Sequence, residues 1–331
     1  MNLPLSRSLL LLLALTLVSP LGAAVPDPEA PAMKAAVDHY LARRDADARA
    51  AFEGIAAQDP TNDLALYYLA RLAKRAKDWP NVVAFYERCL ELAPTKGEYW
   101  ANVSEAYARM AERDPIFGGL SNIRKCRRAI ERAVVVEPDS IPFRTGLLEF
   151  YKNAPGILGG SLRKAREQAA EIAKRDPCAG QMALGTLAVY EKNWHAAEQA
   201  FTEAAKLAPD RPEPRFALGD LFAATARYDE ARAVYEKMLA ENSDNFGALF
   251  YIGRMAALSG KELDRGEACL RRYLAQPQRS SVLPTHAEAH ICLGEILMKR
   301  GNKTGADAEF AEAQRLDPWS KKAKDLLQRA K

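Results

Sequence analysis

A proline recurs along this chain, each time just after a short apolar stretch that reads as the end of a helix. It closes the segments AAQDP, ELAP, VEP, KRDP, KLAP and RLDP, as Pro60, Pro94, Pro138, Pro177, Pro209 and Pro318. The steps are 34, 44, 39 and 32 residues, and the last gap of 109 residues holds about three more periods with extra loop. A recurring spacing of this size points first to repeat architectures, in which one unit cannot bury its own apolar face and must stack on the next. Ala, Leu, Glu, Lys and Arg dominate the composition, and runs of Val, Ile and Thr are scarce. The units are therefore helical, and a large sheet is disfavoured. With 48% apolar and 27% charged residues, the 331-residue chain is not of the disordered class.

The pattern between the prolines is more specific than the period. One segment carries Trp100, Val103-Ser104 and Tyr107; another Leu184-Gly185, Ala197, Phe201, Ala204 and Pro209. The next has Leu218-Gly219, Phe222, Ala231 and Tyr235, with Ser243 in the closing proline slot, and is followed by Ile252-Gly253. The last has Leu293-Gly294, Leu297, Ala306, Phe310, Ala313 and Pro318. This pattern resembles the tetratricopeptide repeat, W-x2-L-G-x2-Y…A-x3-F…P, over roughly residues 29 to 319. The resemblance implies an all-α fold, an α-solenoid of stacked antiparallel helix pairs wound into a superhelix. About eight units are expected, near 29–62, 63–96, 97–140, 141–178, 179–211, 212–245, 246–285 and 286–319. Residues 32–319 then form the array and residues 320–331 a capping helix, apolar on the side of Ala323, Leu326 and Leu327. In each unit a Gly or Ala of the first helix is expected to face a small residue of the second, as Gly219 would face Ala231.

Two units carry insertions between their helices. Asp114 to Ser121 and Ala154 to Ser161 share a proline, an apolar pair and Gly-Gly, then a Ser placed to cap the second helix. A looser insertion runs from Gln276 to Pro284. The element PGILGGSLRKA resembles one in exported bacterial repeat proteins of similar length.

The N-terminus reads as a targeting segment. Arg7 precedes an unbroken apolar run from Leu9 to Val18; Ser19-Pro20 ends it, and Gly22-Ala23-Ala24 supplies small residues for a signal peptidase. The run is about half the ~20 residues that a membrane span needs. Cleavage is expected after Ala24, leaving residues 25–31 as an exposed tail and a mature chain of net charge +3 with no integral membrane span. This predicts a periplasmic or secreted protein. Basic and acidic residues alternate along the helices, which argues against a nucleic-acid partner. The five cysteines are odd in number and lack any CxxC, so disulfides do not hold the fold. Cys89 and Cys126 occupy small buried slots, whereas Cys178, after Pro177 in an expected loop, is the candidate exposed thiol.

No catalytic constellation is present. The Gly-Gly loops lack a preceding strand and the Lys-Ser/Thr pair of a phosphate loop, and no GxSxG occurs. His286 and His290 lie one turn apart, the spacing of a two-His metal face, but the order is HxExH and His290 fills the slot of the signature Trp. A packing role is expected, with no metal, no cofactor and no enzymatic activity.

The resemblance implies that the first helix of each unit lines a concave face that binds an extended peptide or a helix. Counted from the signature, the inward residues are Tyr67, Arg71 and Lys74; Glu98 and Glu105; Thr145, Glu149 and Lys152; Phe216 and Asp220; Phe250 and Arg254; and Ile291 and Glu295. The set by which some family members clamp a C-terminal carboxylate is missing. The expected function is a protein-interaction scaffold or adaptor of the bacterial cell envelope. The alternative is an accessory ligand-binding subunit of a periplasmic transport system.

Overall fold

A computed structural model describes residues 31–113, 118–277 and 283–330. The export segment 1–24, the tail up to residue 30, residues 114–117 of the first insertion and 278–282 of the third lie outside the described residues. The chain divides into two compact units with the boundary between Leu187 and Ala188. The first holds α1 (Pro31–Leu41), α2 (Asp45–Gln58), α3 (Asp63–Arg75), α4 (Trp79–Leu92), α5 (Gly97–Arg113), α6 (Gly119–Val136), α7 (Ile141–Asn153) and α8 (Leu162–Ala173). The boundary falls inside α9 (Pro177–Tyr190). The second holds α10 (Trp194–Leu207), α11 (Glu213–Ala224), α12 (Tyr228–Glu241), α13 (Phe246–Ser259), α14 (Leu263–Leu274), α15 (His286–Lys299), α16 (Lys303–Leu316) and α17 (Lys321–Ala330). Among the described residues there is no strand. Within each unit a helix packs on its successor, α1 on α2 and α3 on α4 through to α15 on α16, so both units are all-α solenoids of stacked pairs. Among the described residues no helix is long and apolar enough to cross a membrane.

The hairpins are set by local chemistry. Between the helices of a pair, one residue takes the left-handed conformation: Arg43, Lys77, Lys192, Ala226 or Gly301, with φ of 60°, 56°, 58°, 58° and 77°. The N–H of the next residue then reaches back five positions to a carbonyl of the first helix, as Asp78 to Ala73 at 2.9 Å and Asn193 to Ala188 at 2.8 Å. This wrap satisfies carbonyls that the helix end would leave bare. The same following residue often caps the second helix: Asp78, Asn193 and Asn302 accept from the N–H three residues on. Thr285 and Glu288 form a full capping box at α15. Pro60, Pro94, Pro138, Pro209 and Pro318 each follow the last helical turn by two residues and stop it. Pro177 differs, since it is the first residue of α9, where its missing N–H costs nothing. Pro31 likewise opens α1 and is not part of the tail.

The packing corrects three expectations. Gly219 does not face Ala231: a Cβ on it would meet the Tyr235 ring at 2.4 Å, and Gly253 and Gly294 sit in the same way against Leu270 and Phe310. The first-helix glycine makes room for a large side chain of the second helix, one turn further along than the small residue. Cys178 is not exposed; it lies within the first turn of α9, 5% accessible, and all five cysteines are buried. Ser161 caps α8 by accepting from the Lys164 N–H, but Ser121 falls inside α6, whose N-cap is Gly118 with no side-chain bond. The Gly-Gly loop of the fourth pair is a structural element: Leu158 is buried, Gly159 has φ +103°, and the Ser161 N–H donates to the Tyr151 carbonyl at 2.7 Å.

Candidate functional site

In the first unit, the candidate residues lie on α3 and α5, the first helices of neighbouring pairs. The Tyr67 hydroxyl donates to Glu98 Oε1 at 2.7 Å, and Arg71 Nη1 donates to the same phenol oxygen at 2.7 Å. The guanidinium stands over the rings of Tyr40 and Tyr67, at 5.6 and 5.4 Å from their centroids. Lys74 and Glu105 pair across the two helices at 2.5 Å. Burial, and then the Glu98 carboxylate, push the Tyr67 phenol far above its usual range, so it stays a proton donor. Glu98, Glu105 and Lys74 thus each have a partner of matching chemistry. Among the described residues Arg71 meets a phenol and two aromatic faces and no carboxylate, which leaves most of its five N–H donors uncommitted. Tyr40 of α1 belongs to this surface and is not one of the expected residues; Arg75 stacks on it at 3.6 Å. Its place in α1 gave no signal, because that helix lacks the Leu-Gly pair on which the register was counted.

In the second unit, Phe216 and Asp220 of α11 and Arg254 of α13 come together, joined by Tyr235 and Tyr251. Tyr235 and Tyr251 stack at 4.9 Å, and Phe216 lies 5.6 Å from Tyr251. The Tyr235 hydroxyl donates to Asp220 Oδ1 at 3.3 Å, and Arg254 Nη1 is 4.0 Å from the same oxygen. Burial among these rings raises the Asp220 carboxyl above its usual value, with Arg254 opposing. Phe250 is a correction: at 4% accessibility it is packed against Tyr251 and Tyr273, so its neighbour Tyr251 reaches the surface instead. Tyr67, equally buried at 4%, serves as the support of Arg71 rather than as a contact of its own. Ile291 is corrected too: it is buried with Ala313 and Ala323 beneath α17, and Glu295 is tied to Lys322 at 2.8 Å. On α7, Thr145 is exposed, and Glu149 pairs with Lys152 at 2.6 Å.

His286 packs edge-on against Tyr273, and His290 Nδ1 meets Glu309 Oε2 at 2.6 Å, so the two imidazoles serve different neighbours. Among the described residues no group of three or more His, Cys, Asp or Glu side chains is placed to hold a metal ion.

Family profiles described as tetratricopeptide repeat match residues 182–246 and 216–276, and a second such profile matches residues 65–98. Residues 65–98 and 182–276 of the chain are thus matched as tetratricopeptide repeats. It is similar to the crystal structure of a tetratricopeptide repeat protein from Parabacteroides merdae, with a TM-score of 0.52 at 15% identity, covering 80% of this chain and 97% of that one. It is also similar to pilF of Pseudomonas aeruginosa, with a TM-score of 0.44 at 15% identity, covering 68% of this chain and 97% of that one. No curated protein matches it. Likeness at such low identity concerns the fold alone. The repeat family consists typically of non-catalytic scaffolds that bind protein or peptide partners.

Proposed function

We propose that this chain is a non-enzymatic scaffold or adaptor of the bacterial cell envelope, which binds a peptide or helix of a partner protein on the concave face lined by the first helices of its pairs. The observation that carries the reading is Arg71. Its guanidinium is held in place by Tyr67 and two aromatic faces, yet among the described residues no carboxylate pairs with it. A pre-oriented cation with free donors suits the carboxylates or backbone carbonyls of a bound segment. Asp220 and Arg254, set in the Phe216–Tyr235–Tyr251 wall, offer a second anchor of the aromatic and arginine type that dominates interfaces. The mixed polar lining favours a peptide over an apolar small ligand of a transport system. Export is supported by the apolar run Leu9–Val18 and the small residues before Val25.

The partner is to be found by cross-linked pull-down from envelope extracts and its affinity measured by calorimetry. Arg71→Glu is expected to weaken binding at least tenfold, whereas the exposed Lys237→Glu on α12 has little effect. Normal binding by the Arg71→Glu protein overturns the assignment of the face. Mass spectrometry of the mature protein should start at Val25; an intact N-terminus in the cytoplasm overturns the location.

A further inference from the structure

Helix α6 differs from its neighbours in how its charges are met. Its sequence holds five cations, Arg124, Lys125, Arg127, Arg128 and Arg132 among them, against one acid, Glu131. Arg124, Arg128 and Arg132 recur every fourth residue, so they share one exposed face of the helix. Among the described residues none of these three has a hydrogen-bond or ion-pair partner. Many arginines elsewhere are matched, as Arg175 is by Asp139 at 2.8 Å, Arg227 by Glu198 at 2.5 Å and Arg265 by Glu236 at 2.8 Å. Arg43, Arg44, Arg88 and Arg113 are exposed as well, but they do not form a row of three on one helix face. The face also shows Leu120 and Val135, 52% and 65% accessible.

Beside this stripe lies a groove of about 380 Å³ formed by α4, α5 and α6, with Leu90, Trp100, Val103, Tyr107 and Ala129 in its walls and Arg128 on its edge. Its size falls in the range of ligand clefts, about 300–1,000 Å³. Trp100, Val103 and Tyr107 project from the side of α5 opposite to Glu98 and Glu105, so the groove is separate from the inner face. The lining carries four charges, Glu87 and Glu91 of α4 and Lys125 and Arg128 of α6. Tyr107 engages two of them, since Lys125 stands over its ring at 5.1 Å and Glu87 accepts from its hydroxyl, while Glu91 lies on the α4 side. What is left uncommitted along α6 is cationic.

We propose that the α4–α5–α6 groove and the α6 arginine stripe form a second docking surface, which takes an acidic amphipathic segment of another protein. Apolar side chains of that segment enter the groove, and its carboxylates, spaced one helical turn apart, lie along Arg124, Arg128 and Arg132. The planar guanidinium pairs bidentately with carboxylates. An apolar recess next to the stripe suits discrete side chains and gives nothing to a flat bilayer.

The test is a random peptide library displayed on phage and selected on the full chain. Selected peptides are then synthesised and titrated against wild type, against Arg124→Glu/Arg128→Glu/Arg132→Glu, against Trp100→Ala and against Arg71→Glu. The substituted arginines are exposed, so the melting temperature should hold, and an Arg→Lys triple variant of intermediate affinity guards against misfolding. The expected result is enrichment of Asp and Glu at helical spacing beside Leu, Phe or Trp. Binding should fall at least tenfold in the triple-Glu and Trp100→Ala proteins and persist in Arg71→Glu, which separates this surface from the inner face. No enrichment, peptides without acidic bias, or unchanged affinity for the triple-Glu variant overturns the proposal. So does arginine-dependent binding to phosphatidylglycerol vesicles without peptide binding, which makes the stripe a membrane contact. Self-association abolished by the triple-Glu variant overturns it as well, since the occupant is then a second copy.

Discussion

Gly219 and Ala226 stand seven residues apart and show opposite uses of a small side chain. Any Cβ at Gly219 collides with the Tyr235 ring. Gly and Val have similarly poor helix propensity, within about 0.5 kcal/mol of each other, so packing alone decides the effect of Gly219→Val. A loss of roughly 1–3 kcal/mol is expected from chemical denaturation. At Ala226 the strain is in the backbone, at φ 58°. Left-handed geometry costs a non-glycine residue roughly 1–2 kcal/mol, and the extra freedom of the unfolded glycine takes back about 0.4–1. Ala226→Gly should therefore stabilise by about 0.5–1 kcal/mol, and a destabilised variant would refute the turn geometry. Two carboxylates predict opposite pH trends. Burial works against the Asp63 charge, but Lys96 and Tyr99 prevail and lower its pKa below 3.8. Its contribution is present above that value and is lost as pH falls through the depressed one. Burial raises the Asp220 carboxyl above 3.8, so the native state holds that proton more tightly than the unfolded chain, and stability declines as pH rises from 3.8 through the raised value. Melts compared between pH of about 3 and 7 should show Asp63→Asn most harmful near neutrality and Asp220→Asn relatively most favourable there. Matching trends for the two would contradict the assignment. The misplacement of Phe250 has a simple geometric cause. The signature fixes which helix a residue is on, but a step of one position, from Phe250 to Tyr251, moves a side chain by about 100° around it.

At the scale of elements, the hairpins were legible because their caps are local: Asn, Asp, Ser and Thr before an apolar-periodic run, and proline after it. The glycine loop Gly156–Gly160 was legible as an insertion but not as a shape, because what holds it comes from elsewhere. Arg127 of α6 lies against Gly159, and the carbonyl of Ala154 occupies the space of a Cβ on Gly160, 1.7 Å from where it would sit. A Cβ on Gly156, by contrast, meets nothing within 4 Å. Gly160→Ala must move backbone, and a loss of about 2 kcal/mol or more is expected, at the upper part of the 1–3 kcal/mol range for overpacking. Gly156→Ala should be neutral within about 0.5 kcal/mol, as for surface changes. Equal effects on thermal denaturation would mean that the loop is not fixed as described. Arg71 shows the same limit for the candidate site: its position on α3 could be counted, but its lack of a carboxylate partner depends on which side chains the neighbouring helices bring to it.

For the molecule as a whole, stability in a stacked array is close to a sum of each pair and its interface with the next, so damage stays near where it is done. The second unit ends in α17, whose Ala323 and Leu326 cover Ile291 and Ala313. Lys322 adds an ion pair to Glu295 at 2.8 Å, which at a half-exposed site is worth only about 0–1 kcal/mol. Apolar cover is therefore the main contribution of this helix. Ending the chain after Ser320 uncovers Ile291, now 5% accessible, on the α15–α16 pair. Fully exposing one such aliphatic side chain costs about 1.5–3 kcal/mol. Hydrogen exchange should then quicken in α15 and α16 by a factor that corresponds to this loss, about ten to a hundred, while amides of α1 to α4 keep their rates. The solubility of the truncated chain should also fall, because the new end presents an apolar face to water. Uniform acceleration throughout the chain would show that folding is a single cooperative event rather than a sum of neighbours. Unchanged rates in α15 would show that α17 is an appendage rather than the cap of the second unit.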